Sequence, residues 1–263
     1  MNTWMGQEVC GRLGFVVEGL RDGQSRWGRT ITYCPPQSRA NATKPLHDCA
    51  AQWFANGTVG YIRIPSFHVP SVEEKALDCV KEFARATTMI IDLRSNGGGI
   101  TPSKLIDALM ERPYRWWTET AVNIGHLWKR HQGHGEFSIL QDGSGAVCRS
   151  DWTEPNGSIY SGRVILLTDR YCGSAAEDFI MPFKDTKRGI LIGETTWGST
   201  GQPVCFECDG ISIGIGSVRA SFPDAGTFEG VGITPDIAVM RSRDDLYDGR
   251  DVVLAKALEI AQV

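Results

Sequence analysis

From residue 59 onward the chain alternates between short apolar runs and amphipathic stretches. VGYIRIPSF (59–67) reads as a strand closed by proline. Ser71 then offers a helix cap, with Glu73 and Glu74 placed to favour the positive end of a helix running to about Ala86. TTMIIDLR (87–94) is a nearly unbroken apolar run, the pattern of a strand buried on both faces of a parallel sheet. SNGGG (95–99) ends it, and Pro102–Met110 follows as a helix with Leu105, Ile106 and Leu109 on one side. GRVILLTD (162–169) predicts the next strand, and a helix is expected from Ser174 to about Phe183. GILIGE (189–194) predicts a short strand and SIGIGSVRASF (212–222) an edge or antiparallel strand. GVGITPDIAV (230–239) reads as a last strand, and DVVLAKALEIA (251–261) as a terminal helix. Strand and helix in alternation predict a layered α/β core with right-handed crossovers.

Two regions fit this pattern less well. Residues 1–58 read as a small N-terminal region with strands in GRLGFVVEGL (11–20) and RTITY (29–33), then a loop. A short helix is expected at HDCAAQWF (47–54). Residues 111–158 read as an excursion from the 59–263 core, with two or three edge strands or a flap. They carry Trp116, Trp117, Trp128 and Trp152, and a polar, glycine-broken HLWKRHQGHG. A stretch this long outside the regular core is unusual without a functional reason.

Composition narrows the function classes. The chain has 263 residues, is 41% hydrophobic and 22% charged, and carries a formal net charge of -4. Nothing here attracts nucleic acid in general. The longest apolar runs are strand-sized, far below the ~20 residues of a membrane span. The first residues lack a basic segment followed by an apolar core and a cleavage site. The expectation is a cytoplasmic protein, or a secreted one if a leader has been removed. Cys205 and Cys208 form a CxxC without a second such pair, so zinc is not expected there. His126, His131 and His134 likewise lack a partner at a recognised ligand spacing. No metal or cofactor is expected.

The chemistry concentrates where apolar strands meet small residues. Ser174 stands at a strand-to-helix junction, and Ser174-x-x-Glu177 has capping-box spacing. The same position can aim a hydroxyl into the crevice at the carboxyl ends of the strands. Residue mechanics leave a cap and a nucleophile both open. Asn96-Gly97-Gly98-Gly99 also follows a strand and precedes a helix, and glycines there let backbone N–H groups approach a ligand closely. Neither a phosphate-binding GxxxxGK[ST] nor a dinucleotide GxGxxG is present.

Five segments in order resemble the core domain of the tail-specific and C-terminal-processing serine peptidases, a group that includes tricorn-core and interphotoreceptor retinoid-binding modules. They are GYIRIPSF (60–67), IIDLRSNGGG (90–99), CGSAAEDF (172–179), GILIGETTWGS (189–199) and EGVGITPDIAV (229–239). The resemblance implies a ClpP/crotonase-like layered α/β core and a peptide or small acyl substrate. Homo-oligomers are common in this kind of fold. It implies Ser174 as nucleophile, with N–H groups of Gly98 and Ala175 as oxyanion donors and Arg94 and Asn96 holding the glycine turn. Gly97, Gly99, Trp116, Trp117 and Trp197 are the expected substrate contacts. Many members carry a lysine base where this chain has Ser199, so the likeness is nearer the tricorn-like pattern of a histidine with an acidic helper. Glu229 matches the acidic position. His47 and His68 are the leading candidates for the base, with His126, His131 and His134 behind them, and no recognisable PDZ domain accompanies the core. The alternative is a repurposed or inactive member that binds a small apolar ligand or peptide.

Overall fold

The computed structural model describes residues 13–21, 25–33, 49–200, 203–208 and 211–262, the first two segments by their backbone alone. The chain divides into two compact units, Met1–Leu46 and His47–Val263. In the first, β1 (Leu13–Arg21) and β2 (Ser25–Tyr33) form an antiparallel hairpin.

The second unit is built on a six-stranded sheet. β3 (Ala50–Phe54) pairs antiparallel with β4 (Val59–Arg63), which begins the parallel part. Helix α1 (Pro70–Glu82) crosses to β5 (Thr88–Asp92), and α2 (Ser103–Leu109) leads away from it. The chain then leaves the sheet through β6 (Thr118–Ala121), α3 (Ile124–Arg130), β7 (Glu136–Ile139) and β8 (Ala146–Arg149). It returns with β9 (Arg163–Thr168), α4 (Ala175–Thr186) and β10 (Gly189–Gly193). β11 (Pro203–Cys208) and β12 (Ile211–Gly216) form a separate hairpin. β13 (Arg219–Ser221), β14 (Ile237–Ala238), α5 (Arg243–Tyr247) and α6 (Val252–Ala261) complete the unit. The large sheet has the order β14-β10-β9-β5-β4-β3, parallel throughout except at β3. A second sheet, antiparallel, has the order β13-β6-β8-β7.

Side-chain alternation divides the core into layers. Met89, Ile91, Val164 and Leu166 face α1, α2 and α4 through Val80, Leu105, Phe179 and Phe183. Ile90, Ile165, Leu167 and Ile192 face the opposite way and pack with Val253 and Ala257 of α6. Successive residues of a strand point to opposite faces, so an unbroken apolar run is needed when helices cover both. The architecture is a mixed α/β fold of layered sheets and helices.

Four local expectations are corrected. HDCAAQWF does not form a helix: Ala50–Phe54 is the edge strand β3, claimed by its register with β4. α1 starts one residue before Ser71, because Pro70, with φ already fixed near the helical value, takes the first position behind the N-cap Val69. GVGITPDIAV contributes only Ile237–Ala238 to the sheet. Its first residues are a turn in which the Val231 and Gly232 N–H groups both donate to the Phe228 carbonyl. SIGIGSVRASF is split between β12 and β13, which lie in different sheets, whereas the excursion supplies β6, β7 and β8, within the two or three strands expected, with α3 between β6 and β7.

Candidate active site

Two turns at the carboxyl ends of adjacent strands meet at Ser174. The first follows β5. Asn96 is fully buried; its Nδ2 donates to the Ile64 carbonyl at 3.1 Å, and its Oδ1 accepts the Gly98 N–H at 2.9 Å. Gly98 adopts φ +101, and a Cβ built there would lie 2.6 Å from Ser174 Cβ and 2.9 Å from Ala175 N. Gly99, at φ +135, presses in the same way on the Phe67 carbonyl and His68 N. These glycines are required by close approach as much as by their φ. Arg94 anchors the base of the turn by pairing with buried Asp92 and with Asp251, the N-cap of α6.

The second turn follows β9. Asp169 ties the two together: its Oδ1 accepts the N–H of Ser95 at 2.9 Å and of Tyr171 at 3.0 Å. Cys172 is buried and its Sγ lies 3.1 Å from the Leu93 carbonyl; burial raises its thiol well above the ordinary range, so it stays a protonated packing group. Ser174 itself has φ 54 and ψ −125, a combination seldom adopted by a residue with a side chain. It stands at the N-cap of α4, in a capping-box arrangement with Glu177. The serine is half-buried.

Glu177 does the capping from the other side. Its fully buried carboxylate accepts the Ser174 N–H at 3.2 Å, the Gly198 N–H at 2.7 Å, the Ser199 N–H at 3.0 Å and the Thr196 hydroxyl. Burial pushes its pKa up, and the four donors pull against that rise. The Ser174 N–H is shared with the Ser199 carbonyl at 2.9 Å. Glu177 therefore fastens the Thr196–Ser199 turn onto the serine. Ala175, the first residue of α4, has an N–H without an intrahelical acceptor, and no described residue accepts it.

The remaining expected residues distribute unevenly. Trp197 is 65% exposed, and its indole lies over Gly173, where an added Cβ would meet Cε3 at 2.8 Å. Glu229 Oε1 accepts from the Thr200 hydroxyl and the Ala220 N–H, each at 3.3 Å, and the neighbouring Gly230 N–H donates to the Gly198 carbonyl. That brings Glu229 to the Ser199 side of the site. His68 is exposed, with its backbone against Gly99. No described histidine makes a hydrogen bond to Ser174. His126 Nε2 lies 3.4 Å from Ser217 Oγ, and His131 Nε2 lies 2.8 Å from Glu119 Oε2. His47 falls outside the described residues. No group of three potential metal ligands gathers among the described residues.

Trp116 and Trp117 line a cavity of about 420 Å³ with Thr101, Glu119, Arg130 and Asp178. Asp178 accepts the Thr101 hydroxyl at 2.6 Å and the Trp117 indole N–H at 2.8 Å. Sequence reading missed Asp169, Asp178 and Glu119. The signal for Asp178 was available: a second acidic residue, directly after Glu177, leading into the apolar Phe179–Phe183 run of α4.

The sequence model of peptidase family S41 matches residues 58–239. The chain is 27% identical over 208 residues to the tricorn protease of Thermoplasma acidophilum, covering 78% of this chain and 17% of that protein. It is 29% identical over 212 residues to the putative tricorn-like protease C-terminal subunit of Sulfurisphaera tokodaii, covering 79% and 21%. The chain thus spans about a fifth of the length of these relatives. A putative peptidase from Parabacteroides merdae superposes with a TM-score of 0.64 at 21% identity, covering 81% of this chain and 64% of that one. The crystal structure of the tricorn protease gives a TM-score of 0.55 at 25% identity, covering 78% and 18%. With the matched segment running from β4 to the end of β14 and containing both turns at Ser174, the chain belongs to peptidase family S41.

Proposed function

We propose that this chain is a serine peptidase core that cleaves a peptide or related acyl bond through Ser174, on the tricorn-like side of the family and with its ClpP/crotonase-like layering. The observation that carries the reading is the Ser174 turn: a strained serine pressed against Gly98 and followed by the unengaged Ala175 N–H. The serine oxygen adds to the carbonyl carbon as a base takes its proton. The Ala175 N–H receives the developing oxyanion, with the Gly98 N–H as second donor once it turns from Asn96 Oδ1. The base returns the proton to the leaving amine as the C–N bond breaks. It then takes a proton from the water that releases the acyl group.

His68 is the base favoured among the described histidines. Its backbone touches Gly99, and the adjoining Gly98 touches Ser174, so two consecutive residues bridge the pair. Glu229 is assigned to orienting the base or holding the substrate amine. Ser174→Ala should abolish hydrolysis of a casein-derived peptide mixture with the circular dichroism spectrum unchanged; full turnover would sink the assignment. His68→Ala and His47→Ala, assayed side by side, separate the two candidate bases, since only loss of the true base should cost about a hundredfold or more in rate.

A second reading, a ligand-binding module without turnover, is favoured by Ser199 standing where many members carry the lysine. A family-competent serine that hydrolyses nothing would support it.

A further inference from the structure

The β11–β12 hairpin presents an apolar face to solvent. Val204, Ile211, Ile213 and Ile215 are each between 39% and 65% exposed. The three isoleucines are spaced by two and share one face of β12, and Val204, registered with Ile215, lies on that face too. Ser212, Gly214 and Gly216 make up the other face. The two strands form a sheet of their own, so among the described residues neither has a partner on its outer edge. A lone hairpin is marginal in water, whereas three or more strands with an apolar face are stable. The roots of this hairpin are fixed: Glu229 Oε1 accepts from Thr200, ahead of β11, and from Ala220 in β13, after β12.

The two outer edges differ. β11 carries Pro203, which has no N–H to offer, and the charge of Glu207, and both discourage pairing. β12 has neither a proline nor a charge over Ile211–Gly216. Its Ile-Ser-Ile-Gly-Ile stretch also reads apolar-small-apolar-small-apolar in both directions. Laid antiparallel against itself about Ile213, it sets Ile211 opposite Ile215, Ile213 opposite Ile213 and Ser212 opposite Gly214. A slip of one residue would throw the two isoleucine sets onto opposite faces. No charge stands across the axis to repel a like charge.

We propose that the free edge of β12 docks a second copy of this chain, antiparallel and two-fold about Ile213. The product is a four-stranded sheet of order β11-β12-β12-β11 with the isoleucines of both copies on one face. The six residues of β12 are far fewer than the roughly 20–30 a side of a standard interface, so the dimer is weak and depends on concentration.

Sedimentation velocity of the full chain in reducing buffer should show a monomer giving way to a dimer between about 2 and about 300 µM. Ser212→Lys combined with Gly214→Lys sets two like-charge pairs across the axis and leaves the isoleucines in place; it should weaken dimerisation at least about tenfold. Ser212→Lys combined with Gly214→Glu makes the same positions complementary and should return the affinity to within about threefold of wild type. A wild-type chain that stays monomeric throughout overturns the proposal, and leaves the edge to an extended peptide or to another segment of this chain. A dimer that the Lys–Lys variant leaves intact, or that the Lys–Glu variant fails to restore, overturns it as well, because the contact then lies elsewhere or in another register.

Discussion

Ser174 is held in a conformation that a serine adopts at a cost. Its φ of 54 and ψ of −125 would suit glycine, and such strain persists only when neighbours impose it. Ser174→Gly should therefore raise stability by about 1 kcal/mol while removing the hydroxyl. Differential scanning calorimetry should show a melting temperature higher by roughly 2–4 °C, against no such gain in Ser174→Ala. Gly98 makes the opposite case. Gly98→Ala combines an unfavourable φ of +101 with a methyl 2.6 Å from Ser174 Cβ, so hydrolysis should fall by at least roughly tenfold even in folded protein. The sequence made both residues legible, because a serine and three glycines at strand ends are conspicuous. It did not make legible that the Gly98 N–H is taken by Asn96, or that Glu177 collects four donors. Those depend on which turns meet in space.

The segments that were misread share a physical cause: their conformation is set by a neighbour rather than by their own pattern. Ala50–Phe54 becomes a strand because β4 offers an open edge. GVGITP stays a turn because Gly198 packs against the Val231 and Gly232 backbone. The strands β5 and β9, buried on both sides, were read correctly because their apolar runs have no other use. Within the second sheet, Glu119 of β6 fastens α3. Burial alone would raise its pKa, but hydrogen bonds from His131 and Arg130 outweigh this and hold it below its usual 4.5. A lowered folded-state pKa contributes stability above 4.5, and that contribution is lost as pH falls through the folded value. Glu119→Gln should accordingly be less stable than wild type near neutrality, with the difference shrinking in thermal melts carried from about pH 7 to about pH 3.

In the His47–Val263 unit as a whole, one buried charge network joins the large sheet to α6 and to the site. Asp92, fully buried at the end of β5, receives Tyr61, Arg63 and Arg94, and Arg94 also holds Asp251. Removing Arg94 strips a principal counter-ion from a buried carboxylate. Arg94→Ala should cost about 3 kcal/mol in urea unfolding and loosen the glycine turn that Arg94 begins. The layered α/β class and the position of the site at the carboxyl ends of the strands were both visible in the order of elements. The cavity lined by Trp116, Trp117 and Asp178 was not, since its walls come from four elements scattered between residues 101 and 178. The central claim, that Ser174 is a nucleophile, is tested most directly by treating the protein with a fluorophosphonate and mapping the adduct by mass spectrometry. One adduct, on Ser174 and absent from Ser174→Ala, is the predicted result; no adduct on that residue, or labelling undiminished in the variant, would contradict it.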